Sequence, residues 1–355
     1  MGALFSIIKS IFIMITPTWL ARILFKQKGL VWIVHPRDTR DIVRKIGSLK
    51  NLSDEKIFKI AQRIPPFLVS NFHNDKISGY MIGIPVSPKI LGSKEDTHVK
   101  FSVKKTRQAL KMAYKLGATS VSLGGFLTSV VSKNNLEKEF NMKFYDGTRL
   151  LSRLAVDKID RILVSNNFDI TNTTIGILEA TTKTGSLVSE LLVQMNFNKI
   201  YLFGKTSENL EALKERCFNI NPKIEVVVST DLSKLSNCDI NILTAYIQTD
   251  EEVEQYIKKD SIFLGAVEPA SPFVFKLDKD RPDVTVYKGI TVNTPDVFYD
   301  GYDLGLPKGN SFVCVTEAFL FTQEQESAEG VYQENLENTQ KKVKALFEKY
   351  NFTSS

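Results

Sequence analysis

From about residue 172 onward the sequence alternates short apolar runs with helix-like stretches, and this rhythm constrains the fold more than any other feature. Thr174–Leu178 reads as a strand, Ser186–Met195 as a helix and Lys199–Phe203 as a second strand. Glu208–Arg216 is helical again, and Glu225–Val228, Ile240–Leu243 and Ser261–Val267 are further strands. Apolar strands joined through helices need crossover connections, which predicts an α/β fold with a Rossmann-like, doubly wound parallel sheet. The upstream pattern is sparser and predicts a second α/β domain. Asn51-Leu52-Ser53 caps a short helix stopped by Pro65-Pro66, Ser102 opens a longer helix closed by Gly117, and Ala118–Leu123 is a strand running into Gly124-Gly125. The expected division is an apolar segment over 1–28, a substrate and catalytic domain over 29–168, a Rossmann-like domain over 169–300, and a final segment over 301–355. That last segment ends in a helix, Leu336–Tyr350, whose lysines form a solvated face.

Composition narrows the class of function. The net charge of +6 over 355 residues comes from scattered lysines with no basic stripe interleaved with aromatics, so nucleic acid is not an expected partner. The same charge suits weak attraction to an anionic membrane surface. Cys217, Cys238 and Cys314 are odd in number and widely spaced, which argues for a reducing, cytoplasmic compartment without a disulfide framework. With three histidines and no Cys-x-x-Cys, no metal site is expected.

The N-terminus is nearly all apolar from Ala3 to Leu24, interrupted by Lys9, Pro17 and Arg22. On a helical wheel Gly2, Ser6, Lys9, Ser10 and Thr16 fall on one side, where Ile13 intrudes, while Phe5, Ile7, Ile8, Ile11, Phe12 and Ile15 cover the rest. That pattern predicts a helix lying in a membrane interface, with Trp19, Arg22, Lys26 and Lys28 as anchors and the protein peripheral on the membrane. Three other readings stand beside it: a signal peptide, which lacks a basic start and a small-residue cleavage site; a span, which Pro17 and Arg22 leave short; and a helix packed on the protein's own core. Met1–Ser6 also matches a myristoylation pattern.

The turn after the first strand of the alternating region is Glu179-Ala180-Thr181-Thr182-Lys183-Thr184-Gly185-Ser186. Dinucleotide-binding turns use a first glycine for the bend, a second for close approach of backbone to pyrophosphate, and a third for helix–strand packing. Here only the third, Gly185, is present; Glu179 and Thr182 hold the other two places, and Lys183 is the one cation in the turn. Thr181, Lys183, Thr184, Gly185 and Ser186 are the candidate phosphate contacts. The second strand ends at Phe203-Gly204-Lys205-Thr206, where a basic residue favours a ribose 2′-phosphate, so Lys205 with Thr206 points to NADPH if a nucleotide binds. Thr244 and Ala245, just past the strand Ile240–Leu243, complete the candidate cofactor set. The other reading of this turn is a structural α/β turn that binds no nucleotide.

Cys314 lies in Gly309-Asn310-Ser311-Phe312-Val313-Cys314-Val315-Thr316-Glu317-Ala318, preceded by Gly305-Leu306-Pro307-Lys308-Gly309. This stretch resembles the nucleophile segment of the long-chain acyl-ACP (fatty acyl thioester) reductases and their shikimate-dehydrogenase-like bacterial relatives. Ser122-Leu123-Gly124-Gly125-Phe126-Leu127-Thr128-Ser129 is similar to their glycine–aromatic–Thr-Ser loop, with Leu127 inserted. Val34-His35-Pro36-Arg37-Asp38 and Pro65-Pro66 resemble the N-terminal block of the bacterial relatives, and Tyr145-Asp146-Gly147-Thr148 stands where they carry a Thr-Gly-Asn-Ser/Thr element. The resemblance runs in order from Ile33 to Phe321. It departs at Glu179 and Thr182, and at Leu264-Gly265-Ala266-Val267-Glu268-Pro269, where the family is acidic or glycine-rich.

The resemblance implies reduction of a fatty acyl thioester, carried by acyl carrier protein or coenzyme A, to a fatty aldehyde. In that scheme Cys314 is the nucleophile, Thr128, Ser129 and the backbone at Gly124-Gly125 polarise the carbonyl, Gly124, Gly125 and Phe126 contact substrate, and NADPH supplies hydride. The eroded turn keeps a non-redox alternative open, an acyl-binding pseudoenzyme or an acyltransferase using an acyl-Cys314. A small-molecule dehydrogenase of shikimate or amino-acid type would need a lysine–aspartate pair that the sequence does not place.

Overall fold

A computed structural model describes residues 2–25, 29–247, 251–267, 270–324 and 335–354. Lys26, Lys28, Glu268 and Pro269, and the side chain of Leu336, lie outside what is described. The chain forms two compact units. The first comprises residues 1–147, 292–331 and 346–353, and the second comprises 148–291, 332–345 and 354–355.

The first unit is built on strands β1 (Leu30–Val34), β2 (Phe67–His73), β3 (Ser78–Gly83), β4 (Ser120–Leu123) and β5 (Lys143–Tyr145), with the short strand Phe298–Tyr299 at one edge. Reading from that edge the order is Phe298–Tyr299, β2, β3, β1, β4, β5. β3, β1, β4 and β5 run parallel, while β2 is antiparallel to β3 and to Phe298–Tyr299. β1 is central and fully apolar because both faces are covered, as parallel strands require. Val31 and Ile33 point into one core, with Ile82, Leu110, Ala113 and Val121. Trp32 points the other way, where its ring packs on Phe312 and Tyr299. Helix Val313–Glu324 lies against β1, β4 and β5. Its Phe319 meets Phe72 of β2 with ring centroids 5.2 Å apart, which fixes the face it covers.

The second unit is an all-parallel sheet of β6 (Ile175–Leu178), β7 (Lys199–Phe203), β8 (Glu225–Ser229), β9 (Ile240–Leu243), β10 (Ile262–Gly265) and β11 (Thr285–Tyr287). The spatial order β8-β7-β6-β9-β10-β11 is the doubly wound 3-2-1-4-5-6 arrangement, with the order reversing between β6 and β9. The Rossmann-like fold expected from the apolar rhythm is therefore present.

Three expectations shift. Helix Thr148–Ser165 packs on helix Lys183–Leu192, so it lies in the second unit and the division falls at 147 rather than 168. Cys314 and its helix belong to the first unit, not to a separate final segment. The helix ending at Lys115 begins at Asp96, not at Ser102, because Val99 and Phe101 continue its apolar side and Ser102 is buried in mid-helix.

Candidate functional site

In the first unit the motif pieces converge at the carboxyl edge of the parallel strands, where open α/β sheets bind ligands. Cys314 sits in the first turn of helix Val313–Glu324 and is buried. Gly147, two residues beyond β5, lies against it with φ +73°. A Cβ built on Gly147 would stand 2.4 Å from the Cys314 Cα and 2.7 Å from its backbone nitrogen, so only glycine fits. The Gly147 amide donates to Glu317 Oε1 at 3.0 Å. Glu317 is buried one turn after Cys314, and residues three apart share a helix face. Cys314 thus lies in the first turn of its helix with the Gly147 backbone packed against its own, and the buried Glu317, which holds the Gly147 amide, follows one turn on. Positive helix ends favour thiolate.

The N-terminal block and the glycine segment before Cys314 are joined directly. Arg37 pairs with Asp41 through two nitrogens, at 2.9 and 2.7 Å, donates to Leu304 O at 2.8 Å, and stacks over the Phe312 ring. Desolvation alone would raise the Asp41 carboxyl, but its bonds to Arg37 outweigh that and hold it below the ordinary range. Arg44 also bonds Asp41, and Gly305 (φ +69°) leaves room for its guanidinium, since a Cβ there would meet Arg44 Nη1 at 2.4 Å.

His35 follows β1 at the same edge. The Phe126 amide donates to its Nε2 at 3.3 Å, which leaves Nδ1 as the protonated nitrogen, donating to Pro36 O at 3.0 Å. Burial holds its pKa below the ordinary value, so the ring is a neutral acceptor that fixes the Gly124–Phe126 loop. In the sequence His35 stands out only as part of the Val34-His35-Pro36-Arg37-Asp38 block, because its bond to the Phe126 amide joins residues 91 apart. Gly125 takes φ +54°, as a tight turn requires. Thr128 and Ser129 lie not in an open loop but in helix Leu127–Lys133, both partly buried. Cys217 and Cys238 behave as expected of core thiols, since burial pushes each up to about 12.

In the second unit the turn after β6 sits at the reversal point of the sheet. Glu179 adopts φ +56°, the left-handed conformation for which a first glycine is used. Gly185 is confined as the third glycine would be: a Cβ would lie 2.6 Å from Glu179 O and 2.7 Å from both Ala180 O and Thr244 Oγ1. Thr182 caps helix Lys183–Leu192, its Oγ1 accepting from the Gly185 amide at 3.1 Å, and so takes one of the amides that a phosphate would otherwise meet. Lys205 reaches back to the Glu179 carboxylate at 3.6 Å. Thr244 spends its hydroxyl on Leu178 O and Glu179 O, at 2.8 and 3.0 Å. The Ser186 hydroxyl points at Ala180 O, 3.4 Å away, and Thr184 O accepts from Ser152. Thr181 packs near Gly204, Thr206 precedes helix Ser207–Ile220 without a side-chain cap, and Ala245 is partly buried. The candidate residues are therefore gathered, yet several of their polar groups already bond one another. The framework fits a dinucleotide. Lys205 is mostly exposed, and its ion pair is weak enough to yield to a phosphate.

No family model and no curated protein matches the sequence. Among solved structures, the chain is similar to quinate dehydrogenase from Corynebacterium glutamicum in complex with NAD, at 10% identity over 74% of this chain and 88% of that one, with a TM-score of 0.37. A shikimate 5-dehydrogenase from Mycobacterium fortuitum is similar over 33% of this chain and 44% of its own, at 8% identity and a TM-score of 0.26. Lactate dehydrogenase from Eimeria maxima with NADH and oxamate matches at 13% identity over 32% of this chain, which spans 42% of that protein's length, with a TM-score of 0.26. The fold rests on the strand order and register given above, not on these likenesses.

Proposed function

We propose that this chain is a nucleotide-dependent oxidoreductase that reduces a long-chain acyl thioester through an acyl-enzyme at Cys314. The observation that carries the reading is the seat of Cys314: first turn of a helix, carboxyl edge of a parallel sheet, Gly147 backbone against it and Glu317 one turn on. Glu317 takes the thiol proton and the thiolate adds to the thioester carbonyl. A bond forms between Sγ and the acyl carbon, the bond to the carrier thiol breaks, and that thiol leaves with the proton. His35 and the Phe126 amide hold the Gly124–Phe126 loop in place for the substrate. Thr128 and Ser129 are the proposed donors to the carbonyl, and the carrier is acyl carrier protein or coenzyme A.

Thr184, Gly185 and Lys205 are the residues that would hold the nucleotide, with Lys205 selecting NADPH. When bound, the reduced nicotinamide supplies a hydride that, with one proton, converts the acyl-cysteine to an aldehyde and a free Cys314 thiol.

A second reading is favoured by one specific observation, the self-capped turn in which Thr182 holds the Gly185 amide and Glu179 holds Lys205. In it the chain forms acyl-Cys314 and passes the acyl group on, or keeps it, without hydride. One experiment separates the two. The full chain is incubated with palmitoyl-coenzyme A and its mass measured, with and without NADPH. An acyl adduct on wild type, absent from Cys314→Ser and discharged as aldehyde by NADPH, supports the reductase. An adduct indifferent to NADPH supports the non-redox reading. No adduct on wild type removes Cys314 from both.

A further inference from the structure

The two N-terminal helices, Ala3–Ile15 and Thr18–Leu24, are mounted inside out. The first turns its polar side toward the protein: Ser6, Ser10 and Thr16 are buried, with Ile13 the one large apolar side chain among the buried residues of that helix. Bonds hold this orientation. Ser10 Oγ accepts from the Leu68 amide of β2 at 2.9 Å and donates to Ser6 O at 2.6 Å. Lys115 donates to Met14 O and Thr16 O, at 2.5 and 2.7 Å, closing the carbonyl end of the helix. The side left facing outward carries Leu4, Phe5, Ile8, Ile11, Phe12 and Ile15, a stripe at helical spacing. Trp19, Ile23 and Leu24 extend it on the second helix, where Trp19 is 67% exposed and Ile23 71%.

Single exposed apolar residues are ordinary, but a contiguous stripe of this length marks an interaction surface. Its charge says what covers it. Neither helix carries an aspartate or glutamate; their cations are the partly exposed Lys9, over the Phe25 and Tyr80 rings, and Arg22, over the Tyr114 ring, and Lys111 is exposed on helix Asp96–Lys115, which packs on both. A second copy meeting this face about a two-fold axis would set cations against cations. An anionic lipid surface offers apolar depth and the opposite charge at once, and an exposed tryptophan belongs at that boundary. Among the described residues no helix is long and apolar enough to cross a membrane.

We infer that Ala3–Ile15 and Thr18–Leu24 form a preformed docking face that lies flat on an anionic bilayer, fixed to the body by Ser10 and Lys115. The face is independent of the chemistry proposed for Cys314, because its readout is partition and not activity.

The test is co-sedimentation of the full chain with phosphatidylcholine vesicles, with and without phosphatidylglycerol. Wild type should bind the phosphatidylglycerol vesicles more tightly, and added salt should weaken that binding. Ile8→Asp with Ile11→Asp should lower the partition coefficient about tenfold or more while leaving the melting transition in place, since both side chains are exposed. Leu4→Asp with Ile15→Asp should do the same, and Phe218→Asp, an exposed apolar residue of the second unit, should not. Wild type remaining in the supernatant with both vesicles would overturn the inference. So would equal partition of the aspartate variants, or variants that convert a dimer to a monomer with vesicle binding unchanged, which would assign the face to a second copy.

Discussion

Gly147 and Cys314 approach so closely that the space for a Cβ on the first is already filled by the backbone of the second. The contact ties the end of β5 to the start of helix Val313–Glu324, and it does so at a positive φ. Gly147→Ala meets both penalties, about 1–2 kcal/mol for the left-handed backbone and about 1–3 kcal/mol for overpacking. A loss of about 3 kcal/mol in chemical denaturation is expected, together with loss of acyl transfer to Cys314. Stability within about 0.5 kcal/mol of wild type would mean the approach is looser than it stands here.

The His35–Phe126 bond predicts a pH dependence with a definite sign. Burial lowers the folded pKa of His35, so below the unfolded value the unfolded chain binds more protons than the native one. The contribution of neutral His35 is complete above about pH 6.5 and is lost as the pH falls toward the folded pKa, with a slope limited to about 1.4 kcal/mol per pH unit for one proton. Denaturation midpoints of wild type and His35→Asn, compared between about pH 7.5 and 5, should show the steeper decline in wild type. Parallel curves would place the imidazole in water.

Cys217 and Cys238 should be silent toward alkylation in the native protein. At a pKa of about 12 each is ionised to roughly one part in ten thousand at pH 8, and each is fully buried. Peptide mass analysis after iodoacetamide should find both unmodified until the chain is unfolded, and Cys217→Ser and Cys238→Ser should keep the acyl labelling of Cys314. Native alkylation of either residue would show that its surroundings open.

The second unit was legible because its strands are short apolar runs between amphipathic helices; Lys199–Phe203 and Ile240–Leu243 fall where the pattern puts them. The first unit was less so. β2 carries Ser70, Asn71 and His73, and β3 contains Gly79, whose missing side chain makes room for the Phe72 ring, so neither shows a clean apolar period. The wheel over residues 2–16 separates a polar from an apolar side but carries no information on which is turned inward. That choice is made by the Leu68 amide, which needs the Ser10 hydroxyl, and by Lys115, both distant in sequence. The motif around Cys314 marks it out in the sequence, whereas the packing of Gly147 upon it depends on φ and on topology, which spacing does not encode.

The turn after β6 gives a prediction that separates strain from ligand binding. Glu179 holds a left-handed φ that costs a side-chain residue about 1–2 kcal/mol, so Glu179→Gly relieves it. Against this stand the greater freedom of glycine in the unfolded chain, about 0.4–1 kcal/mol, and the loss of the ion pair to Lys205, exposed at the lysine but largely covered at Glu179, about 0.2–1 kcal/mol. The balance is a change near zero or a small gain, not the destabilisation usual for glycine at a buried turn. Thr182→Gly removes a cap but costs only a few tenths of a kcal/mol, because glycine is itself tolerated there. The double variant should therefore fold, with the Gly185 amide and Lys205 released together. Under the reductase reading it binds NADPH about tenfold more tightly than wild type, and Lys205→Ala weakens NADPH far more than NADH, because a lysine selects the 2′-phosphate and not the rest of the nucleotide. Thermal shift against both nucleotides reads each effect. If neither nucleotide shifts wild type and neither shifts the double variant, the amides of this turn serve the fold alone, and the chemistry of Cys314 proceeds without hydride.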